Sequence, residues 1–404
     1  MKRKIYYVIM LQFILAAFIF SQHWTAKDQT KPQTFKKIQK DFYKKWERYL
    51  KENPKPRKGV YKQFKRWEWF VSTRLDSNGY FNPTLNWKGW LEKKARFANK
   101  NNRQDATKKW TELGPTTMPD NTYCQSGGYR GLGRINCISF DPVNPDIIWV
   151  GAPSGGLWKS INGGTTWTSN TDNLPNLGVS SILIHPTDNR IMYIATGDGD
   201  GGDTFSIGIL KSTDGGNSWF HIGNELGVSE GIRITKMKFI PNDPDTILVM
   251  ASNGIYKLTN GGSNWSKKMS GRFMDLDLIP GSPNIWIATS YYSSGIFRST
   301  NNGDSWTQVT NGLPTDINAM RRIAVATSQS SPSTVYAVIA NSEQGMLGVY
   351  KSLDAGINWV QVVGSPNLLG WAFDGSDNSG QSYYDLTIDV DPANEDIVFI
   401  GGVS

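Results

Sequence analysis

Ser212-Thr-Asp-Gly-Gly-Asn-Ser-Trp219 is one of five copies of a short turn motif that decides the fold of this chain. The other copies occupy 160–167, 258–265, 299–306 and 352–359, and each ends in tryptophan. Successive tryptophans are 52, 46, 41 and 53 residues apart. A period of this length, with several β-runs in each unit, is typical of four-stranded propeller blades. The sequence therefore predicts an all-β propeller, with five full blades and part of a sixth in this chain.

Each copy of the turn motif predicts a tight turn followed by a packed indole. The Asn or Asp at its third position can accept bonds from nearby backbone amides, and the glycine two residues later supplies positive φ. The tryptophan can then bury its rings between neighbouring blades. Three of the five copies carry Asn, which cannot do acid–base chemistry, so we assign the motif a structural role. Its residues are Asn162, Trp167, Asp214, Trp219, Asn260, Trp265, Asn301, Trp306, Asp354 and Trp359.

The N-terminal sequence predicts a targeting segment followed by a basic helical segment. Residues 5–20 form an apolar run broken only by Gln12, and Lys2-Arg3-Lys4 precede it. The run is short for a membrane span, so we interpret residues 1–22 as a signal peptide and expect a secreted or cell-surface protein with no span after cleavage. An uncleaved anchor is the alternative. Apolar residues at helical spacing, such as Phe35, Phe42 and Trp46, predict helices within 23–109.

Charge divides the chain into two parts. Residues 23–110 hold 24 Lys/Arg and 8 Asp/Glu, whereas residues 111–404 hold 16 and 27. The net charge of +8 therefore describes neither part, and we predict no nucleic-acid partner. We expect the helical lysines to be solvated; a surface for anionic glycan, lipid or nucleic acid is the alternative. The predicted propeller begins at residue 110.

Two cysteines, Cys124 and Cys137, lie 13 residues apart. In an exported protein they could form one disulfide. Two buried thiols acting as small hydrophobic side chains are the alternative. The sequence leaves both possibilities open, because it does not show whether the two Cβ atoms meet.

The irregular loops predict where a ligand would bind. In a four-stranded blade the turn motif lies on one face, and the loops joining second to third strands and consecutive blades lie on the other. These loops vary in length and combine aromatic with charged residues, which suits a glycan or protein ligand. Ordinary loop decoration is the alternative. The ligand-binding candidates are Tyr129, Arg130, Arg134, Phe205, Tyr291, Tyr292, Trp371, Asp374, Tyr383 and Tyr384.

One of these loops, Asp198-Gly-Asp-Gly-Gly-Asp203, is strongly acidic. Asp198, Asp200 and Asp203 could supply the paired carboxylates of glycoside chemistry. They could also wrap a calcium ion, although their spacing differs from an EF-hand loop. A solvated acidic loop is the third possibility. No other cofactor is predicted.

The turn motif resembles the Asp-box, or bacterial neuraminidase, repeat. That repeat occurs in sialidases, in propeller hydrolases acting on xyloglucan, in sortilin-type receptors and in photosystem assembly factors. Longer stretches, including Ala195-Thr-Gly-Asp-Gly-Asp200, resemble large secreted Bacteroidota propeller proteins labelled sortilin-like or glycosyl hydrolase. This resemblance implies export by type IX secretion machinery. Such proteins commonly end in a sorting domain, which this chain lacks, so we expect a truncated piece of a longer protein.

The resemblance leaves enzyme activity in question. The Arg-Ile-Pro signature of sialidases is absent. The xyloglucan hydrolases carry a catalytic Asp just before the Gly-Gly of their first blade, and the matching Ala152-Pro-Ser-Gly-Gly156 holds no acid. We therefore expect a recognition module for glycan or protein ligands rather than an enzyme. A propeller glycoside hydrolase that uses the acidic loop is the alternative, and a structural spacer of a large adhesin is the third interpretation.

Overall fold

The computed structural model describes residues 33–52, 60–82, 84–98, 133–200, 204, 206–223, 231–291, 295–383 and 385–402. The chain divides into two compact units, Met1–Asn101 and Asn102–Ser404. The predicted signal peptide and the predicted boundary at residue 110 lie outside the described residues. Those two predictions therefore stay predictions.

The described part of the first unit holds three helices: α1 (Phe35–Glu52), α2 (Val60–Ser72) and α3 (Thr84–Ala98). The rings of Phe42 and Phe64 are buried and stack with their centroids 3.5 Å apart, which joins α1 to α2. Glu68 beside them is also buried; it pairs with Lys65 and accepts a 2.6 Å hydrogen bond from Gln39 Nε2. Burial opposes ionisation of Glu68, but these partners outweigh it and hold its pKa below the ordinary value.

The second unit is built from consecutive antiparallel sheets. The first sheet holds β1 (Cys137–Phe140), β2 (Ile148–Gly151), β3 (Leu157–Ser160) and β4 (Thr168–Ser169). The second holds β5 (Val179–Ile184), β6 (Met192–Thr196), β7 (Ile209–Ser212) and β8 (Phe220–Ile222). The third holds β9 (Ile234–Ile240), β10 (Asp243–Ala251), β11 (Gly254–Thr259) and β12 (Asn264–Ser270).

The remaining sheets continue the same order. The fourth holds β13 (Phe273–Leu278), β14 (Trp286–Ser290), β15 (Ile296–Ser299) and β16 (Thr307–Val309). The fifth holds β17 (Ile323–Thr327), β18 (Val335–Ala340), β19 (Met346–Ser352) and β20 (Val360–Val363). β21 (Thr387–Val390) and β22 (Val398–Gly401) form a two-stranded sheet. Within every sheet the strands follow chain order, which confirms the predicted propeller of five full blades and part of a sixth.

The first strand of each sheet packs beside the first strand of the next one, so β1, β5, β9, β13, β17 and β21 are the inner strands. The core lies between the blades. Tyr193 and Ala195 of β6, for example, pack with Ile247 and Val249 of β10. All four side chains are buried. Because each blade covers its neighbour, the fold holds the loops of one face around a common axis.

The turn motif has the local bonding that its residues predict. In the first copy the Ser160 hydroxyl accepts the Gly164 N–H at 2.9 Å and Asn162 Oδ1 accepts the Thr166 N–H at 2.9 Å. The Trp167 indole N–H donates to the Gly164 carbonyl at 2.9 Å. The third copy has Leu258 in place of serine, and there the chain forms a short 3₁₀ turn, Asn260–Gly262, without a side-chain cap.

The burial of a motif tryptophan depends on whether another blade packs against its indole. Trp359 is 2% exposed and packs against Ile287 and Ile296 of the preceding blade. Trp167 is 38% exposed. The indoles of Trp265, Trp306 and Trp359 pack in cores shared with the preceding blade, and no described sheet precedes the first one. The expectation that every motif tryptophan is largely buried is therefore wrong for Trp167.

Candidate functional site

Charged side chains line the inner strands of the third and fourth blades. Lys236 on β9 pairs with Asp275 on β13, and Lys238 pairs with Asp277 in the same way. The second oxygen of each carboxylate accepts a backbone N–H of β17 at 2.9 Å. Burial opposes ionisation of Asp277, but the two lysines and the Thr327 hydroxyl outweigh it, so its pKa lies below the ordinary value. These pairs bond the inner strands of neighbouring blades to one another. We call the surface that the inner strands form around the common axis the channel wall.

A second set of charges lies where the inner strands begin. Asp198 and Asp200 follow β6, in the acidic loop that leads to β7. Asp198 is fully buried, and its Oδ2 lies 2.7 Å from Arg134 Nη2, just before β1. Asp200 Oδ1 lies 3.1 Å from Nη2 of Arg322, the residue before β17. We call Arg134, Asp198, Asp200 and Arg322 the mouth cluster; it draws on the first, second and fifth blades.

The surroundings of Asp200 in the mouth cluster raise the pKa of its carboxyl. Burial is the main cause that raises its pKa, and the neighbouring carboxylates of Asp198 and Asp275 raise it further. Arg322 and Arg134 oppose this rise without cancelling it. About a fifth of the side chain, 21%, still reaches solvent. A partly accessible carboxyl that keeps its proton to higher pH is what general-acid catalysis requires.

The acidic loop lies against the loop of the first blade that joins β2 to β3. The Thr204 hydroxyl donates to the Pro153 carbonyl at 2.9 Å. The acidic loop also contacts the connection between β4 and β5, where the Gly178 carbonyl accepts the Gly197 N–H at 2.8 Å. A side chain at position 178 would collide with Thr204, so only glycine permits this approach. Pro153 belongs to the stretch in which the resembling hydrolases carry a catalytic Asp. The acidic loop that carries Asp198 and Asp200 thus contacts, through Thr204, the stretch that lacks an acid.

The sequence-predicted ligand residues fall into different settings. Arg134 belongs to the mouth cluster. Tyr291 is 6% exposed and lies under the Arg272 guanidinium, 4.1 Å from the ring centroid, so it does not present its face to a ligand as expected. Trp371 and Tyr383 are exposed on the loop between β20 and β21. Asp374, on the same loop, accepts the Ser376 N–H at 3.1 Å.

Other predicted residues cannot be placed. Tyr129, Arg130, Asp203, Phe205, Tyr292 and Tyr384 lie outside the described residues. Arg322 was not among the predicted ligand residues. Like Arg233 and Arg272, it stands immediately before an inner strand, and this shared position is the sequence signal that could have identified it. Its pairing with Asp200 depends on which strands face one another around the axis, and that is invisible in the sequence.

Calcium and the disulfide stay predictions. Within the described ranges, no group of three or more His, Cys, Asp or Glu side chains is arranged to hold a metal ion. Asp198 and Asp200 are bonded to arginines, and Asp203 is not described. Burial raises the pKa of the Cys137 thiol to about 12, so this thiol is a poor nucleophile. Cys124 lies outside the described residues.

Known proteins with similar sequences are xyloglucanases. Xyloglucanase Xgh74A of Acetivibrio thermocellus is 27% identical over 270 residues, which cover 62% of this chain and 28% of that protein. A xyloglucanase of Hypocrea jecorina is 25% identical over 256 residues, covering 58% and 27%. The chain thus spans less than a third of the length of these relatives. No family model matches it.

Solved structures agree on the fold. An ancestral GH74 enzyme superposes with a TM-score of 0.52 at 19% identity, over 67% of this chain and 35% of that one. Among the described residues, no helix combines the length and apolar character needed to cross a membrane. The similarity to xyloglucanases contradicts the expectation that this chain is not an enzyme. That expectation rested on the absent Arg-Ile-Pro signature and on the missing acid in the stretch 152–156.

Proposed function

We propose that this chain belongs to a propeller glycoside hydrolase that cleaves a β-linked glucan of the xyloglucan kind, with Asp200 as the proton donor. The observation that carries the proposal is the position of Asp200: its Oδ1 lies 3.1 Å from Arg322 Nη2, 21% of its side chain is exposed, and the burial of the remainder raises its pKa. The similarity to xyloglucanases supports the substrate class. In this mechanism the Asp200 carboxyl protonates the glycosidic oxygen as that oxygen leaves the anomeric carbon. The oxygen of a water molecule forms the new bond to the anomeric carbon, and the proton that this water loses replaces the one that Asp200 gave.

The partners of Asp200 have separate tasks. Arg322 fixes one carboxylate oxygen and limits the rise of the pKa. Asp198, buried and paired with Arg134, supplies the nearby negative charge that raises it. Asp275 is a poorer candidate for chemistry, because Lys236 and the Leu276 N–H occupy its Oδ1 and the Val325 N–H occupies its Oδ2. We assign Asp275 to the channel wall.

The test is hydrolysis of xyloglucan by the full chain, followed as newly formed reducing ends. Asp200→Asn keeps the shape of the side chain and removes its proton, so kcat/KM should fall by about 10²- to 10⁴-fold. Asp304→Asn is the matched control, because Asp304 lies in a turn motif and pairs with Lys257 and Lys268. Its activity should stay at the level of the unsubstituted chain. Full activity in Asp200→Asn would reject the assignment.

The pH profile gives an independent check. Activity should fall as pH rises through the raised pKa of Asp200, since the donor then loses its proton. Arg322→Gln removes the largest influence that lowers this pKa, so the alkaline limb should move to higher pH. An alkaline limb that stays in place would show that another group supplies the proton.

We also propose that the protein is exported, through the signal peptide predicted at residues 1–22. The type IX route and a glycan or protein partner are proposed with it, on the resemblance and the loop composition. A calcium ion in the acidic loop is the alternative to the proton-donor role, because carboxylates that bind calcium are ionised. Detection of a mature protein that begins near residue 22 by mass spectrometry would support export. An intact Met1 on protein from the cytoplasm would contradict it.

A further inference from the structure

The loop between β20 and β21 exposes two large aromatic side chains close together in sequence. Trp371 is 52% exposed and Phe373 is 80% exposed. Leaving such side chains in water forgoes the free energy that burial would contribute. Leu369, two residues before Trp371, is fully buried between the fifth and sixth blades. The loop is therefore anchored in the core and then turns its aromatic residues outward.

Internal hydrogen bonds fix the shape of this loop. The Asp377 carboxylate accepts the backbone N–H of Trp371 at 2.7 Å. The Asn367 side chain donates to the carbonyls of Asp377 and Ser379 at 2.9 and 3.0 Å, and it accepts the Met346 N–H at 2.7 Å. This last bond ties the loop to the start of β19. Such a loop holds its aromatic side chains ready for a ligand and reduces the ordering cost of binding.

The loop is also bonded to the mouth cluster. Its Tyr383 carbonyl accepts a hydrogen bond from Arg322 Nη1 at 3.2 Å. Nη2 of the same guanidinium bonds Asp200. One arginine thus connects the proposed proton donor to the loop that carries Trp371 and Phe373.

We infer that Trp371 and Phe373 form a stacking surface for the sugar rings of a neutral β-linked glucan on its way to the mouth cluster. The inference rests on the proposed function and adds the residues that hold the chain. The flat C–H face of a glucose ring packs well on an indole or phenyl ring. The surrounding residues are small and polar, 374–380 reading Asp-Gly-Ser-Asp-Asn-Ser-Gly. They suit hydroxyl groups.

A protein partner fits this surface less well. A stable protein interface buries about 800 Å² per partner around a well-packed apolar centre. Two aromatic side chains rimmed by Gly, Ser, Asn and Asp offer too little apolar area for that. A narrow polysaccharide needs only a few aromatic contacts with polar neighbours.

The experiment measures binding and hydrolysis separately in the full chain. A xyloglucan heptasaccharide and cellohexaose are titrated by calorimetry into the unsubstituted chain, Trp371→Ala, Trp371→Phe and Phe373→Ala. The control is Phe220→Ala, which removes an exposed aromatic residue of the outer strand β8. We expect Trp371→Ala and Phe373→Ala to weaken binding about tenfold or more, Trp371→Phe to retain most of it, and Phe220→Ala to change nothing. Thermal melts should agree across the set, because these side chains are exposed.

The outcomes separate this inference from the proposed function. If the chain binds glucan through Trp371 but hydrolyses nothing, the proposed function fails and the stacking surface stands. If hydrolysis occurs and both alanine variants bind and turn over glucan like the unsubstituted chain, the stacking surface is wrong. A chain that binds neither oligosaccharide overturns it as well. In an active chain, Trp371→Ala should raise KM while leaving kcat nearly unchanged.

Discussion

The residues of the turn motif illustrate how much one short side chain can organise. Ser352 is buried, and its hydroxyl both donates to Asp354 Oδ1 at 2.8 Å and accepts the Gly356 N–H at 3.0 Å. Asp354 Oδ1 also accepts the Asn358 N–H at 2.8 Å. Burial opposes ionisation of Asp354, but these bonds outweigh it and lower its pKa to about 2. The turn is therefore stabilised by an ionised carboxylate.

This acidity predicts how stability depends on pH. Because the pKa of Asp354 is lower in the folded chain than its ordinary value of 3.8, its contribution is complete above about pH 4 and is lost as pH falls toward 2. Asp354→Asn should fold, since three motif copies carry Asn naturally, and it should lose less stability between pH 5 and pH 2.5. Urea midpoints at both pH values measure this. Leu353→Ala, at an exposed neighbour, should lose as much as the unsubstituted chain; an equal loss in Asp354→Asn would contradict the argument.

At the scale of elements, the edge of each inner strand carries backbone N–H and C=O groups that no strand of its own sheet can bond. Side chains of the neighbouring blades bond several of them. Asp277 on β13 bonds the Thr327 N–H of β17, and Ser181 on β5 accepts the Met237 N–H of β9 at 3.1 Å. Thr235 on β9 donates to the Phe273 carbonyl of β13 at 2.9 Å. Side chains thus do for the inner edges what another strand would do within a sheet. Each inner strand depends on the adjacent blade.

The Asp277 pair predicts a measurable coupling. Asp277→Ala leaves the Lys238 ammonium without its partner and one backbone N–H unbonded, so unfolding free energy should fall by about 2 to 4 kcal/mol. The apolar pair Lys238→Met with Asp277→Leu should recover part of that loss, because no unpaired charge remains. Thr327→Val, which removes only the hydroxyl bond, should cost about 1 kcal/mol. Denaturant unfolding measures the free energy of unfolding of Asp277→Ala, of the Lys238→Met/Asp277→Leu pair and of Thr327→Val. If Asp277→Ala and the apolar pair lost the same free energy, that result would argue against the coupling.

The elements were largely predictable because the repeat fixes where each turn falls. The copy of the turn motif at 212–219, for example, predicts a turn there, and it separates β7, which ends at Ser212, from β8, which begins at Phe220. The site was predictable only in part. Asp198, Asp200 and Arg134 were named from loop composition, but Arg322 and the burial of Tyr291 depend on which blades face each other across the axis. Periodicity along the chain carries no such information.

At the scale of the whole molecule, the described blades present apolar residues at both ends of their series. Ile138 and Phe140 of β1 are exposed on the first blade, and Phe399 of β22 is exposed on the last. Between the blades in the middle, the equivalent surface is buried in continuous cores. Exposed apolar area of this kind favours association.

This arrangement predicts that the chain, expressed by itself, forms concentration-dependent oligomers. Light scattering coupled to gel filtration would show a mass that rises with concentration. Replacing Ile138 and Phe140 by serine should shift the distribution toward monomer, whereas Trp69→Ser, at an exposed residue of α2, should leave it unchanged. A strictly monomeric chain at high concentration would contradict the prediction.

The bonds between inner strands have a consequence for protein engineering. Because a blade bonds one set of partners on its preceding side and another on its following side, the blades are not interchangeable modules despite their shared turn motif. If a second copy of the fourth blade followed the first, Asp275 and Asp277 of the first copy would face Asp275 and Asp277 of the second copy. In the natural order they face backbone N–H groups of β17. Recombination that preserves function should therefore exchange neighbouring half-blades together with the junction between them, and blade libraries cut at the repeated turn should fold less often.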